Sequence, residues 1–130
     1  MDIKLKENER IDDLEYKGLK IIQNENGFCF GMDAVLLSHF AKDSIRRNDK
    51  ILDIGTGTGI IGILLSAKTL ASQIVGIEIQ NDVADMAKRS IQLNNLQDKF
   101  SIINDDLKKI DEYFKSDYFD VVVSNPPYKQ

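Results

Sequence analysis

Asn125-Pro126-Pro127-Tyr128 is the segment of this chain best equipped for chemistry. The Asn125 side-chain oxygen and the Pro126 carbonyl are two hydrogen-bond acceptors. The proline that follows each of them confines it to extended backbone, so the acceptors hold still. Such a pair can grip both hydrogens of an NH2 group. An amine conjugated to a planar ring is a poor nucleophile, because its lone pair is delocalised. Attack on an electrophile makes the nitrogen more tetrahedral and builds positive charge on it, and fixed acceptors favour that change. Tyr128 adds an aromatic face on which a flipped base can stack, a contact worth about 1–3 kcal/mol. No general base is needed to begin attack. A Pro-Pro pair also terminates strands, and Tyr128 could be a core residue. Placement decides between these uses.

A second constellation lies in KILDIGTGTGIIG. Gly55, Gly57 and Gly59 lack side chains, so the backbone there can turn tightly and approach a ligand. Glu78 follows 19 residues after Gly59, where a carboxylate can accept from both hydroxyls of a ribose. Together they describe a nucleoside site. The same letters contain Gly57-Thr58-Gly59-Ile60-Ile61-Gly62, which satisfies the dinucleotide fingerprint. That register begins too late after the strand. Asp53 would also bring negative charge to a pyrophosphate, whereas a cationic sulfonium ligand without phosphates tolerates it. The plainer alternative is that the glycines serve only helix–strand packing.

The elements that position these residues follow from the pattern. Ile51–Ile54, Gln73–Ile79, Phe100–Ile103 and Tyr118–Val123 are apolar runs suited to buried parallel strands. Between them lie helices over 60–68, Asp82–Leu93 and Leu107–Phe114. On the second of these, Val83, Met86, Ala87, Ser90 and Ile91 share one face. Strands alternating with helices imply an α/β, doubly wound parallel sheet. Upstream, residues 1–13 are polar and expected to be frayed or loosely docked. Leu14–Tyr16 and Leu19–Gln23 read as a hairpin around Lys17-Gly18. Asp33 is a candidate N-cap for a helix containing Val35, Leu36, Leu37 and Phe40. The expected organisation is a hairpin and helix over residues 1–46 and a nucleoside-binding core over 47–130.

These residues resemble the class I methyltransferases that use S-adenosyl-L-methionine and release S-adenosyl-L-homocysteine. The hallmarks matched are Asp53 with Gly55, Gly57 and Gly59, then Glu78, then Asp105-Asp106. The resemblance implies a Rossmann-like sheet whose first four strands run in the order 3-2-1-4. It also implies that Asp106 contacts the cofactor's adenine amine; the same residue could cap the third helix. Asn125–Tyr128 is similar to the signature of enzymes that methylate adenine N6, guanine N2 or the side-chain amide of glutamine. The segment Gly27–Ser38 resembles the entry motif of bacterial tRNA adenine-N6 methyltransferases that modify the valine tRNA beside its anticodon. By that resemblance it forms a lid, with Phe30 and Asp33 lining the methionine pocket, although Phe28, Phe30 and the apolar stripe also suit a core.

The expected activity is therefore N6 methylation of adenine in RNA, with tRNA as partner. Glutamine or guanine-N2 methylation and a non-catalytic cofactor-binding fragment are the alternatives. Only about 30 residues precede the Asp33 helix, whereas the glutamine-modifying relatives carry a sizeable helical domain there. The resemblance spans roughly residues 10–128, and family members continue for about as many residues again. The expectation is thus a truncated chain that keeps much of the cofactor site, has little activity alone, and self-associates through an exposed fourth strand.

Bulk properties bound these readings. The chain has 130 residues, 42% of them hydrophobic and 29% charged, as in an ordinary globular domain. One cysteine, Cys29, and one histidine, His39, exclude an intrachain disulfide and offer no zinc site. No apolar run is long enough to cross a bilayer and no leader core opens the chain, which points to the cytoplasm. The net charge of −4 and pI near 5.0 are of the wrong sign for coating nucleic acid, so any RNA phosphates must meet local patches or residues outside this chain.

Overall fold

A computed structural model describes residues 3–26 and 32–124. Phe30 and Asn125–Tyr128 therefore lie outside the described residues. The central element is a four-stranded parallel sheet in the order β5-β4-β3-β6, with β3 at Lys50–Ile54, β4 at Gln73–Ile77, β5 at Phe100–Ile103 and β6 at Val121–Ser124. In order of appearance along the sheet these are strands 3-2-1-4, as expected. Parallel neighbours need crossovers, supplied by α2 (Ile60–Lys68) and α3 (Asn81–Leu93).

Both faces of the sheet are apolar. On one, Ile51, Ile74, Phe100 and Val123 pack with Ile60, Ile63, Leu64 and Leu65 of α2 and Ile91 of α3. On the other, Leu52, Val75 and Ile77 are covered by Ile110, Phe114 and Phe119. Residues Ile60 to Ser66 of α2 are all buried. Gly62 lets this helix sit directly on β5, since a methyl group there would lie 2.2 Å from the Phe100 ring. Lys99 closes the far end of α2, donating to the carbonyls of Ser66 at 3.0 Å and Thr69 at 3.3 Å, where a helix presents unpaired acceptors.

Several expected boundaries shift. The third crossover is a 3-10 helix over Leu107–Glu112 rather than an α-helix to Phe114. The fourth strand begins at Val121, not Tyr118. Phe114, Tyr118 and Phe119 instead form an aromatic cluster with ring centroids 4.8–5.0 Å apart. β4 stops at Ile77, leaving Glu78 and Ile79 in the turn beyond it. Asp33 sits in the first turn of α1 (Met32–Ala41) as its second residue, two positions past where a cap stands.

The largest correction is at the amino end. Residues 9–13 do not fray: Glu9–Asp13 is β1, paired antiparallel with β2 (Lys20–Asn24), and Leu14–Tyr16 lies in the connection. β1 has little apolar character to reveal it, because polar contacts hold it. The Arg89 guanidinium of α3 grips both Glu9 carboxylate oxygens at 2.6 Å, and Asp12 accepts from buried Gln23 at 2.7 Å. The outer edge of β2 is met by α3 side chains in place of another strand. Ser90 Oγ accepts from Ile22 N–H at 2.9 Å. The Asn94 amide accepts from Lys20 N–H at 2.8 Å and donates to Lys20 C=O at 2.7 Å.

Candidate active site

The carboxyl edge of the sheet is where parallel strands release their connecting loops, and where open α/β folds bind ligands. Here an open cleft of about 210 Å³ is lined by Ile54, Gly55, Ile77, Glu78, Ile79, Asp105, Asp106 and Leu107. That is below the 300–1,000 Å³ of most small-molecule sites and suits one portion of a larger ligand.

Glu78 is the anchor of the cleft. Its main-chain N–H extends the β4–β5 ladder to Ile103 C=O at 3.0 Å. Its carboxylate accepts from Gly57 N–H at 2.9 Å and Gln80 N–H at 3.1 Å. The glycine loop is thereby tied to the end of β4. Gly55, Gly57 and Gly59 all adopt positive φ, at 64°, 59° and 91°, which residues with side chains adopt at a cost. Their tasks differ. Gly55 lines the cleft, Gly57 donates to Glu78, and Gly59 packs near Ala87 and Phe100.

Asp53 is placed behind the loop and not on the cleft wall. It is 1% exposed, and its Oδ2 accepts from the Thr56 hydroxyl at 2.7 Å. Its Oδ1 has no hydrogen-bond partner among the described residues. Burial pushes the carboxyl up to about 7, the Glu78 charge adds to that, and the Thr56 hydrogen bond opposes it. Thr56 itself fits only because Gly76 has no side chain; a methyl there would lie 2.7 Å from the Thr56 hydroxyl.

The two adjacent acids after β5 separate clearly. Asp105 Oδ1 accepts from Asp106 N–H at 2.7 Å and Oδ2 accepts from the Tyr113 hydroxyl at 2.7 Å. Tyr113 holds the Asp105 carboxyl below its ordinary range, with help from Asp106 N–H and the Lys109 charge. Asp106 Oδ1 caps the 3-10 helix by accepting from Lys108 N–H at 2.9 Å. The capping use weighed from sequence is therefore real, and of the two carboxylates Asp106 is the less committed to internal partners.

Ile79 and Leu107, missed in the sequence, form exposed apolar walls, 61% and 38% accessible. In a bare sequence they look like core residues. Among the described residues the lining carries three carboxylates and no cation, which disfavours a pyrophosphate and with it the dinucleotide register. Gly62, the last glycine of that register, is occupied with Phe100.

β6 ends at the same edge of the sheet. Its register pairs Ile54 with Ser124 across β3–β6, so the residue before Gly55 and the residue before Asn125 stand side by side at one edge. Asp33, expected at the pocket, is exposed on α1 and does not line the cleft.

Residues 24–130 match the methyltransferase small domain family. The chain belongs to that family. Among curated members of similar sequence, the tRNA1(Val) (adenine(37)-N6)-methyltransferase of Bacteroides thetaiotaomicron is 34% identical over 115 residues, 88% of this chain and 46% of the relative. The enzyme of the same name from Tolumonas auensis is 30% identical over 87% of this chain and 46% of its own length. The chain thus spans about half the length of the curated relatives it matches. The fold is shared with a SAM-dependent methyltransferase from Agrobacterium tumefaciens, at a TM-score of 0.73 and 16% identity over 95% of this chain and 41% of that one. It is shared also with Pyrococcus horikoshii TYW2 solved with MeSAdo, at a TM-score of 0.72 and 16% identity over 90% and 42%.

Proposed function

We propose that this chain carries the cofactor site and amine-gripping motif of an S-adenosyl-L-methionine-dependent methyltransferase acting on adenine N6 in RNA, with a tRNA as substrate. The observation that carries the proposal is the Ile54–Ser124 register: the strand leading into Asn125-Pro126-Pro127-Tyr128 reaches the same sheet edge as the Glu78 cleft. The names of the relatives support tRNA as the substrate.

The cleft fits the cofactor. The Glu78 carboxylate, with four lone-pair sites and two internal donors, has capacity for two ribose hydroxyls. Asp106 would accept from the adenine amine, with Ile79 and Leu107 against the two sides of the ring. Gly55 would let the backbone approach the ligand closely, while Gly57, Gly59 and Asp53 fix the loop. Phe30 and Asp33 are assigned to the methionine end by family resemblance alone. A lining rich in carboxylates suits a ligand whose only formal cation besides its ammonium is a sulfonium. When bound, the cofactor supplies an electrophilic methyl group.

The protein's own contribution is to hold the amine. Asn125 Oδ1 and the Pro126 carbonyl accept its two hydrogens, Pro127 keeps the Pro126 carbonyl fixed, and Tyr128 stacks on the base. Stabilising charge only as it develops on nitrogen lowers the barrier without tightening the ground state. RNA phosphates would be met mainly by residues beyond this acidic chain.

Calorimetric titration with S-adenosylhomocysteine tests the cofactor site. Wild type should bind, and Glu78→Gln should weaken binding about tenfold, in keeping with loss of charge-assisted hydrogen bonds. Absence of wild-type binding would overturn the reading. In a protein spanning the relatives' full length, Asn125→Ala should abolish transfer to valine tRNA while leaving cofactor affinity nearly unchanged. Mass spectrometry should identify the product as N6-methyladenosine. Appearance of the label on guanine or on protein glutamine would overturn the substrate assignment.

A further inference from the structure

We propose that Asn104 is a positioning residue for the ribose contact, an inference that rests on the cofactor site proposed above. Backbone pairing between β4 and β5 ends at Ile77–Ile103, followed by one more hydrogen bond from Glu78 N–H to Ile103 C=O. The chain then leaves the sheet. At that point the Asn104 side chain takes over the next rung: its Nδ2 donates to Glu78 C=O at 2.9 Å and to Ile79 C=O at 3.3 Å. The amide orientation is fixed by its partners, since two carbonyls can only accept.

The consequence falls on Glu78. Its N–H is held by Ile103, its carbonyl by Asn104, and its carboxylate by Gly57 and Gln80. Gly57 belongs to a loop and Gln80 to the turn before α3, so neither fixes the Glu78 main chain. Ile79 is 61% exposed and has little apolar packing to hold its side of the turn. With the Glu78 N–H held by Ile103, Asn104 fixes the carbonyl side of the turn and so sets the direction in which the Glu78 carboxylate and the Ile79 wall face the cleft. Asn104 is itself exposed and belongs to neither apolar core, so its hydrogen bonds act on the turn rather than on the fold.

The test measures the contribution of the ribose hydroxyls. S-adenosylhomocysteine and its 2′-deoxyribose counterpart are titrated against the 130-residue chain and its Asn104→Ala variant. Wild type should prefer the ribose ligand about tenfold or more. In Asn104→Ala, affinity for the ribose ligand should fall about tenfold and affinity for the deoxy ligand about twofold at most, so the preference narrows. Asn104→Gln, which keeps the donor on a longer arm, should recover part of it. The melting midpoint of each variant should stay within a few degrees of wild type. Equal loss of both ligands, or an unchanged preference, would overturn the inference while leaving the cofactor site standing. If wild type bound neither ligand, the cofactor reading itself would fall, and the inference with it. Asn104→Ser provides the same comparison should the alanine variant not fold, and failure of both to fold would make the residue structural and overturn the proposal.

Discussion

Asp53 shows how much a single buried group can cost the fold. Its folded pKa, near 7, lies above the ordinary value of 3.8, so between these values the folded chain holds a proton that the unfolded chain has released. Stability then falls as pH rises from about 4 to about 7, and changes no further on this account above that. Asp53→Asn removes the titration and can keep the bond from Thr56. Its stability relative to wild type should increase across that window, by an amount on the order of a few kcal/mol at most. Denaturant melts at pH 5 and pH 8 would check this, and a constant difference between the two proteins would contradict it. Gly62 is constrained sterically. Gly62→Ala puts a methyl 2.2 Å from the Phe100 ring and should destabilise the chain by about 1–3 kcal/mol. Adding Phe100→Leu should return part of the loss, as a double-mutant cycle would reveal.

At the level of elements, the amino-terminal hairpin behaves as a strand pair whose next neighbour is a helix. Ser90 and Asn94 meet the edge of β2, and Arg89 meets β1. The Glu9 side chain is 5% exposed, so Arg89→Leu strands a largely buried carboxylate and should cost roughly 3 kcal/mol. Glu9→Gln in that background should recover part of it. The Arg89 hydrogen bond also holds the Glu9 carboxyl below its usual range, so this stabilisation is present at neutral pH and lost as pH falls through the lowered value. Hydrogen exchange should find the amides of Lys20 and Ile22 opening early at low pH. β2 was legible to within a residue, but β1 was the least legible element, because it alternates no apolar face and the Arg89 that grips its Glu9 lies 80 positions away. The core from Lys50 onward was legible because each parallel strand is a short apolar run and α3 repeats at helical spacing. The 3-10 helix was misread because Leu107, Ile110 and Phe114 fit an α-helix equally well. Glu78, Asp106 and the glycine loop were visible as chemistry. Ile79 and Leu107 were not, because exposed cleft walls share residue types with a core. Asn104 was hidden because a polar residue after a strand reads as an ordinary turn.

For the molecule as a whole, the sheet order places the loop of β3, the turn after β4, the acids after β5 and the exit of β6 at a single edge. No described helix is long and apolar enough to cross a membrane. Among the described residues β6 pairs only with β3, and its Val122 is 56% exposed. Such an apolar edge favours pairing between copies. Sedimentation of the 130-residue chain should show association that rises with concentration and weakens in Val122→Lys; a monomer at every concentration would contradict that. The Ile54–Ser124 register also makes the molecule unequal in its tolerance of inserted residues. An extra residue in the connection before Asp120 can bulge into solvent. The same residue inserted within β6 would exchange Val123 for its neighbour at the core face and advance everything downstream by about 3.3 Å. Length variation compatible with activity should therefore gather upstream of that strand and be absent from it.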